Sequence, residues 1–433
     1  MKQMLALLLA AVVVCVFFLS QKPKGQAGDS GEFPPATGQT DFVSSEPSSS
    51  GGQESQKDPM EGMKAVWFSY LEWNTMFKGA SEEQFQQKLG TVLDNLVSIG
   101  CNTVMMHVRA FGDAMYRSSV YPWSASVSGV LGKDPGYDPL SIIVEKAHAK
   151  GIAVHAWINP MRTMTAAEFD QIGDCALKQW YAGAQRYQYY MKDSSGHYIL
   201  NPANPEVRKL ISAGVTELVQ NYDIDGVHID DYFYPSGVDG LPENDAQYYQ
   251  EAAPGTDIGS WRRDATTEMV REMHDAVKAV KPEIPFGASP QSSLTNDFDR
   301  LYIDIERWIS EGLVDYLMPQ IYFGFHNTSQ PFDQTAAKWN ELVGDKTALY
   351  VGLATYKVGL ENDQHAGEGK TEWIDCFNGE NNMLERQVEV LESLPNCKGY
   401  CLYSYQSIFN PDGSRNQTTA AEIDHLLEAE KKQ

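Results

Sequence analysis

From Lys64 onward, short apolar segments of strand length alternate with amphipathic helical stretches, and this alternation limits the possible folds of the 433-residue chain most. Strands that alternate with helices form a parallel sheet, and eight of them close into a barrel. The predicted strands are Ala65–Tyr70, Thr103–Val108, Ala153–Ile158, Gly226–Asp230, Pro285–Ala288, Tyr316–Tyr322, Leu349–Leu353 and Tyr400–Tyr405. The predicted helices are Glu83–Ile99, Leu140–Lys150, Pro205–Tyr222, Trp261–Val280, Asp299–Glu311, Gln334–Leu342 and Leu384–Ser393.

A doubly wound open sheet is the rival architecture. It needs a Gly-rich phosphate-binding turn after its first strand. The first strand here continues into Glu72, Trp73 and Asn74, which contain no glycine. A barrel of about 250 residues, extended by insertions, fills the chain as one unit. We therefore predict an α/β fold, a (β/α)8 TIM barrel, as a single catalytic domain at residues 63–430.

The N-terminal residues 1–19 are typical of a targeting segment. Lys2 precedes an apolar run from Met4 to Leu19, which is shorter than the about 20 residues of a comfortable membrane span and fits a signal-peptide core. The segment is read as a signal peptide or as an uncleaved membrane anchor. Lipidation at Cys15 is a third option, although Val14 is larger than the small residue that lipoprotein signals carry there. Each option predicts an extracytoplasmic protein, secreted or tethered to the outer face of the cell membrane.

Residues 20–62 are rich in Gly, Ser, Pro, Gln and Asp and have almost no large apolar side chains. Such a composition cannot bury a core, so we predict a disordered linker between the leader and the barrel. The net charge of −24 argues against nucleic acid as a partner, since nucleic acid requires basic surface. The same charge argues against binding to anionic lipid, so contact with the membrane is expected only through the N-terminal segment.

Six cysteines are present, and five of them follow the leader. They form no C-x-x-C pair, so a zinc ribbon is not expected. Isolated thiols are favoured over a disulfide between Cys376 and either Cys397 or Cys401.

Polar residues gather on the inward faces of the predicted strands, near the C-terminal ends where barrel enzymes place their catalytic groups. On the fourth strand, Val227 and Ile229 face the helices, whereas His228 and Asp230 face inward. Asp231 should point elsewhere unless the strand has already ended. A structural acid that accepts backbone hydrogen bonds is the alternative role for Asp230. The other inward residues are Glu72, Trp73, Met105, His107, Arg109, His155, Trp157, Asn159, Met318, Gln320 and Tyr322.

Carboxylates are the predicted reactive groups, because no G-x-S-x-G nucleophile turn occurs. Paired carboxylates indicate glycoside hydrolysis, in which one acid protonates the leaving oxygen and the other acts as nucleophile or activates water. Asp230 is the first candidate, with Asp231 beside it, and Glu72 or Asp113 is the expected partner. Arg109 is the cation expected to keep one of these acids ionised.

Three inward histidines, His107, His155 and His228, lie on consecutive strands and raise the question of a metal. The H-x-H and H-E-x-x-H spacings that present two ligands together are missing. We therefore predict core or substrate-binding histidines, and no metal or other cofactor.

Several segments between Lys64 and Ser407 resemble the glycosyl hydrolase-like 10 family of exported bacterial proteins. They are KAVWFSYLEW, NTVMMHVRAFGDAMYRSSVYPWS, DPGYDPL, AVHAWINPMR, ILNPANPEVR and DGVHIDDYFYP. The resemblance implies a TIM-type barrel and a cell-wall glycan substrate, since one family member cleaves peptidoglycan strands already stripped of stem peptides. The substrate-binding candidates are Trp73, His107, Arg109, His155, Trp157, Asn159, Arg162, Asn201, His228, Tyr232, Gln320 and Tyr322. Among them, Trp73, Trp157 and Tyr322 are expected to line the mouth and stack on sugar rings.

A fainter similarity concerns the catalytic acid. Chitinase-type barrels carry D-G-x-D-x-D-x-E on the fourth strand, and Tyr232 stands here where the last acid would be, which argues against their substrate-assisted mechanism. Amylase-type barrels place their nucleophile at the position of Asp230 and their acid on the fifth strand, where Gly287 to Ser293 contain no carboxylate.

The sequence thus predicts an exported glycoside hydrolase that cleaves O-glycosidic bonds in peptidoglycan strands lacking stem peptides. A non-catalytic glycan-binding barrel is the alternative, followed by a metal-dependent hydrolase.

Overall fold

The computed structural model of the chain describes residues 60–431, in which eight parallel strands close a barrel. The strands follow one another around the barrel in chain order, and the eighth pairs with the first. They are β1 Met63–Phe68, β2 Thr103–Arg109, β3 Ala153–Ile158, β4 Gly226–Ile229, β5 Phe286–Ala288, β6 Tyr316–Leu317, β7 Ala348–Leu353 and β8 Cys397–Leu402. The predicted (β/α)8 barrel is confirmed.

One principal helix follows each strand. They are α1 Glu82–Ser98, α2 Pro139–His148, α3 Pro205–Asn221, α4 Ile258–Val280, α5 Ile305–Ser310, α6 Phe332–Val343, α7 Met383–Glu392 and α8 Ala420–Glu430. Local chemistry sets several of their starts. Ser81 and Gln84 form a capping box before α1, and Asn204 caps α3, whose first residue is a proline.

Shorter helical segments occupy the connections. They are Tyr70–Glu72, Trp73–Phe77, Ala125–Ser128, Ala166–Phe169, Ala176–Ala182, Arg186–Tyr189, Val238–Gly240, Ala246–Ala252, Leu294–Asn296, Asp297–Leu301, Thr355–Lys357, Gly367–Gly369, Glu372–Asn378 and Tyr405–Ile408. The π-helical turn Asp297–Leu301 replaces the start of the predicted fifth helix, and α8 was not predicted.

The sixth strand is much shorter than predicted. It ends at Leu317, and Pro319 then removes a backbone donor, so the ladder cannot continue regularly. Gln320 still forms isolated bridges with Gln291 on one side and Gly352 on the other. The side chain of Gln320 is thereby carried to the C-terminal end of the barrel.

A small antiparallel sheet is inserted between β3 and α3. Its strands are Arg162–Thr165, Tyr190–Lys192 and His197–Leu200, with the last of these in the middle. It was not predicted from the sequence. It matters for the site because its first strand begins at Arg162, at the mouth of the barrel.

Aromatic side chains fill the barrel interior below the mouth, and glycines make room for them. A Cβ at Gly287 would lie 2.3 Å from the ring of Tyr316, and one at Gly226 would lie 2.5 Å from the ring of His155. His155 and His228 each form a hydrogen bond through Nδ1 with the Tyr316 hydroxyl, at 3.1 and 2.9 Å. This polar layer supports the floor on which the site residues stand.

The predicted leader and nearly all of the predicted linker lie outside the described residues. Within residues 60–431, no helix is long and apolar enough to cross a bilayer. In the same part of the chain no disulfide joins any of the five cysteines.

Candidate active site

Two adjacent acids stand at the C-terminal tip of β4 and diverge toward opposite neighbours. Trp157 on β3 donates its indole N–H to Asp230 Oδ2 over 2.9 Å. Gln320 and Gln291 donate side-chain N–H groups to the two oxygens of Asp231, over 2.9 and 3.2 Å. Because β4 ends at Ile229, strand alternation does not turn Asp231 away, and both acids face the mouth.

Burial raises the pKa of the Asp230 carboxyl into the range in which it can exchange a proton near neutral pH. The residue is 3% exposed, and burial raises the pKa of its carboxyl from 3.8 to about 7, assisted by the negative charge of Asp231. The charge of Arg162, the Trp157 hydrogen bond and the Tyr232 backbone N–H oppose this rise in pKa. Asp230 therefore has the properties of a general acid.

Asp231 is held differently. Burial raises its pKa as well, but the amide donors of Gln320 and Gln291 lower the pKa, and so does the charge of Arg162. Donors on both oxygens favour the ionised form. Asp231 is therefore the better suited of the two acids to act in its ionised form.

The positive charge of Arg162 lowers the pKa of both acids. Its guanidinium carbon lies 4.1 Å from the ring centroid of Tyr232 and 4.3 Å from that of Phe111. Its Nε donates to the Ala110 carbonyl over 3.3 Å. Tyr232 itself is 46% exposed, so an open aromatic ring stands beside the acid pair.

A second group of aromatic rings lines the mouth near β1, β7 and β8. Tyr322 stacks on Tyr403 with ring centroids 5.6 Å apart, and Tyr356 meets both rings edge-on. Trp67 lies beneath them, in edge contact with Tyr322 and Tyr403. Tyr356 is 39% exposed, which leaves a ring available to a sugar face.

Glu72 and Asp113 do not occupy the positions expected of a second catalytic acid. Glu72 is fully buried and accepts hydrogen bonds from Ser69, from the Ser404 hydroxyl and from the Gln406 backbone N–H. Asp113 is 4% exposed and accepts the backbone N–H of Phe111 within its own loop. Burial raises the pKa of both carboxyls, yet their contacts tie loops together rather than facing Asp230.

The prediction that Trp73 lines the mouth is wrong, and two further predicted substrate-binding residues, Arg109 and Asn201, are buried and contact protein groups. Trp73 is fully buried on the helix side, against Phe77 and Phe85. Arg109 donates to the Tyr121 hydroxyl instead of holding a catalytic carboxylate. Asn201 is fully buried and caps a turn by accepting the Ala203 backbone N–H.

Trp157 and the histidines support the site from below. Trp157 is only 6% exposed, and its ring stacks on His107 at 3.8 Å, so it positions Asp230 rather than offering a platform to sugar. Neither ring nitrogen of His107 forms a hydrogen bond with any residue that the structure describes. His228 is held by Ser289 and Trp67, and burial lowers the pKa of all three histidines. Within the described part of the chain, no three His, Cys, Asp or Glu side chains converge as metal ligands.

Gln291 and Asp297 were not predicted from the sequence. Gln291 lies in the GASPQSS segment, which was set aside because it lacks a carboxylate. Asp297 is fully buried and accepts the Gln291 backbone N–H over 3.2 Å, which fixes the loop that presents Gln291 to Asp231. Asn159, by contrast, was predicted and lies beside Asp230, with Nδ2 at 3.5 Å from Oδ2.

Comparisons with known proteins identify the family and the fold. The family model of glycosyl hydrolase-like 10 matches residues 62–368. Glycosyl hydrolase DigH of Escherichia coli O6:H1 is 31% identical over 402 residues, covering 87% of this chain and 90% of that protein. Glycosyl hydrolase YngK of Bacillus subtilis is 35% identical over 327 residues, covering 70% and 62%. The catalytic domain of β-amylase from Paenibacillus polymyxa shares the fold, with a TM-score of 0.52 at 12% identity over 85% of this chain and 98% of that one.

Proposed function

Because the chain belongs to the glycosyl hydrolase-like 10 family and is a glycosidase, we propose that it cleaves O-glycosidic bonds in peptidoglycan strands lacking stem peptides. The observation that carries the chemistry is the pair of adjacent acids at the tip of β4. The two carboxyls have different hydrogen-bond donors, and such a difference is needed when one acid gives a proton and the other acts as an anion. The sequence resemblance described above supports the choice of glycan.

Asp230 is the proton donor in this proposal. A pKa of about 7 keeps a substantial fraction of its carboxyl protonated at neutral pH, which the departing glycosidic oxygen requires. Trp157 fixes the orientation of the carboxyl through its N–H, and Trp157 is itself held by stacking on His107.

Asp231 supplies negative charge to the transition state. The reacting sugar develops positive charge at its anomeric carbon, and an ionised carboxylate nearby stabilises it. Gln320 and Gln291 hold both oxygens of Asp231 in place, so little reorganisation is needed during the reaction.

The rings around the acids suit a sugar polymer. Tyr232 and Tyr356 are the exposed aromatic residues of the mouth, and Tyr322 and Tyr403 form a half-buried stack between them. Aromatic rings present apolar faces with polar tips, which match the C–H faces and hydroxyl edges of sugars.

The location of the protein follows from the same proposal. Peptidoglycan lies outside the cytoplasmic membrane, so the enzyme must be exported to reach it. In this proposal the apolar run from Met4 to Leu19 acts as the signal for export, and residues 20–62 act as a linker between this run and the barrel.

The test incubates the full chain with purified glycan strands, with and without stem peptides, and analyses the products by mass spectrometry. We expect fragments from the stripped strands and none from the peptide-bearing strands. Asp230→Asn should lower the rate by about 100-fold or more, since general acid–base groups contribute about 10²–10⁴-fold.

Asp225→Asn is the matched control, because Asp225 precedes β4 at the opposite end of the barrel. It accepts the Val154 backbone N–H and contacts His148 there, so its loss should affect stability and not the rate per folded molecule. Full activity of Asp230→Asn on stripped strands would refute the proposed chemistry. A lack of cleavage of every strand by the wild-type chain would refute the proposed substrate.

A further inference from the structure

Arg162 is a nearly buried cation that pairs with no carboxylate in the described part of the chain. The residue is 8% exposed, yet no carboxylate oxygen of the described residues lies within 4.0 Å of its guanidinium. Arg262 shows the usual solution in this protein, since it is fully buried and pairs with Asp245 through two nitrogens, at 2.8 and 2.6 Å. A buried charge is costly when unpaired, so an unpaired guanidinium at a site indicates a missing anion.

The environment of Arg162 leaves one edge of its guanidinium available. Aromatic rings of Phe111 and Tyr232 lie over it, and its Nε is already bonded to the Ala110 carbonyl. Among residues 60–431, no protein group bonds to its two terminal amino groups, and these groups are not enclosed. A guanidinium held this way presents two parallel N–H donors in its plane, which match the two oxygens of a carboxylate.

This free edge belongs to the same mouth as the acid pair. Tyr232, whose ring covers the guanidinium, directly follows Asp231 in the chain. The charge of Arg162 also acts on both Asp230 and Asp231, which places it within electrostatic reach of the bond to be cleaved. An anion bound at this edge would therefore lie close to a sugar bound between the acids.

We propose that Arg162 binds a free carboxylate of the substrate and so selects glycan strands whose lactyl ethers are not amide-linked to peptide. This inference rests on the proposed function and adds a reason for its substrate preference. In peptidoglycan, each muramic acid bears a lactyl group whose carboxyl is either free or joined to a stem peptide. Only the free form supplies the anion, and an amide would leave the guanidinium unpaired beside a bulky chain.

The test combines a change in the substrate with a change in the protein. Stripped strands are compared with the same strands after methyl esterification, using the wild-type chain and Arg162→Gln. Charged hydrogen bonds contribute about 1.5–3 kcal/mol, so esterification should lower wild-type kcat/KM by roughly 10- to 150-fold. Arg162→Gln should show a similar loss on the acid strands and little further loss on the ester strands.

Equal effects of esterification on both proteins would overturn the inference, because Arg162 would then act only through the pKa of the acid pair. Arg162→Lys guards against a folding failure, since it keeps the charge and should retain part of the preference for acid strands. The matched control is Arg186→Gln, since Arg186 also lies over tyrosine rings but is paired with Glu243, at 3.3 Å. This control should leave kcat/KM unchanged on both substrates.

The two levels of the proposal fail in different ways. Cleavage of acid and ester strands at the same rate by the wild-type chain refutes carboxylate recognition and leaves the glycosidase function intact. A lack of cleavage of both forms refutes the proposed substrate, and the role of Arg162 with it.

Discussion

Asp230→Asn should stabilise the fold at alkaline pH while it removes activity. Burial raises the pKa of Asp230 from 3.8 to about 7, so the folded state prefers the neutral carboxyl. Below pH 3.8 the carboxyl is protonated in both the folded and the unfolded state, and its contribution to the free energy of unfolding is complete. As the pH rises toward 7, the carboxyl ionises in the unfolded state only, and this contribution is lost. At about 1.36 kcal/mol per pKa unit, the loss amounts to roughly 4 kcal/mol above pH 7.

Asparagine does not titrate, so the variant escapes this loss. Between pH 5 and pH 8, the free energy of unfolding of Asp230→Asn relative to the wild type should rise by about 2–3 kcal/mol, because most of the titration falls in this interval. Urea denaturation at both pH values measures the difference; titrating groups remote from Asp230 cancel between the two proteins, whereas the coupled carboxyl of Asp231 contributes to it. A relative free energy that stays flat from pH 5 to pH 8 would refute the assigned pKa and with it the role of proton donor.

Three further substitutions test the neighbours of the acid. Trp157→Phe keeps the ring but removes the N–H donated to Asp230, so the alkaline limb of the kcat/KM profile should move up by roughly 0.5–1 pH unit; a shift downward would contradict this hydrogen bond. Gln320→Met leaves one oxygen of Asp231 without its amide donor and should lower kcat by about 10-fold or more, with unchanged activity counting against an anionic Asp231. Glu72→Gln should cost about 1–3 kcal/mol in urea denaturation but leave the activity per folded molecule intact, and a selective loss of activity would instead make Glu72 catalytic.

The sequence predicted the barrel because apolar segments of strand length alternate with amphipathic helical stretches along most of the chain, although β4, β5 and β6 have only four, three and two residues. The predicted bounds of β3, Ala153–Ile158, are those observed. The inserted sheet escaped prediction because its strands, of three or four residues, lie together in the connection between β3 and α3 and do not take part in this alternation with long helices.

The errors at the site have local causes. Ser69 and Glu72 form a capping box that ends β1 and begins a helix, and this S-x-x-E pattern was present in the sequence. This pattern predicts that the strand ends before Glu72 and Trp73, so that these residues do not point into the mouth. Side chains alternate between the two faces of a strand, so an extended strand would turn Asp231 away from Asp230. Strand β4 ends one residue earlier than predicted, and Asp231 therefore faces the site. The contacts of Gln291 and Arg162 depend on long-range packing, which periodicity does not report.

The most direct test of the central claim measures how the loss caused by Asp230→Asn depends on the leaving group. Aryl glycosides of the glycan repeat would be compared, with phenols of rising pKa as leaving groups. A good leaving group departs without protonation, so the variant should retain near-wild-type kcat/KM on the most acidic phenol and lose about 100-fold or more on the least acidic. A loss of the same size on every phenol would contradict Asp230 as the general acid.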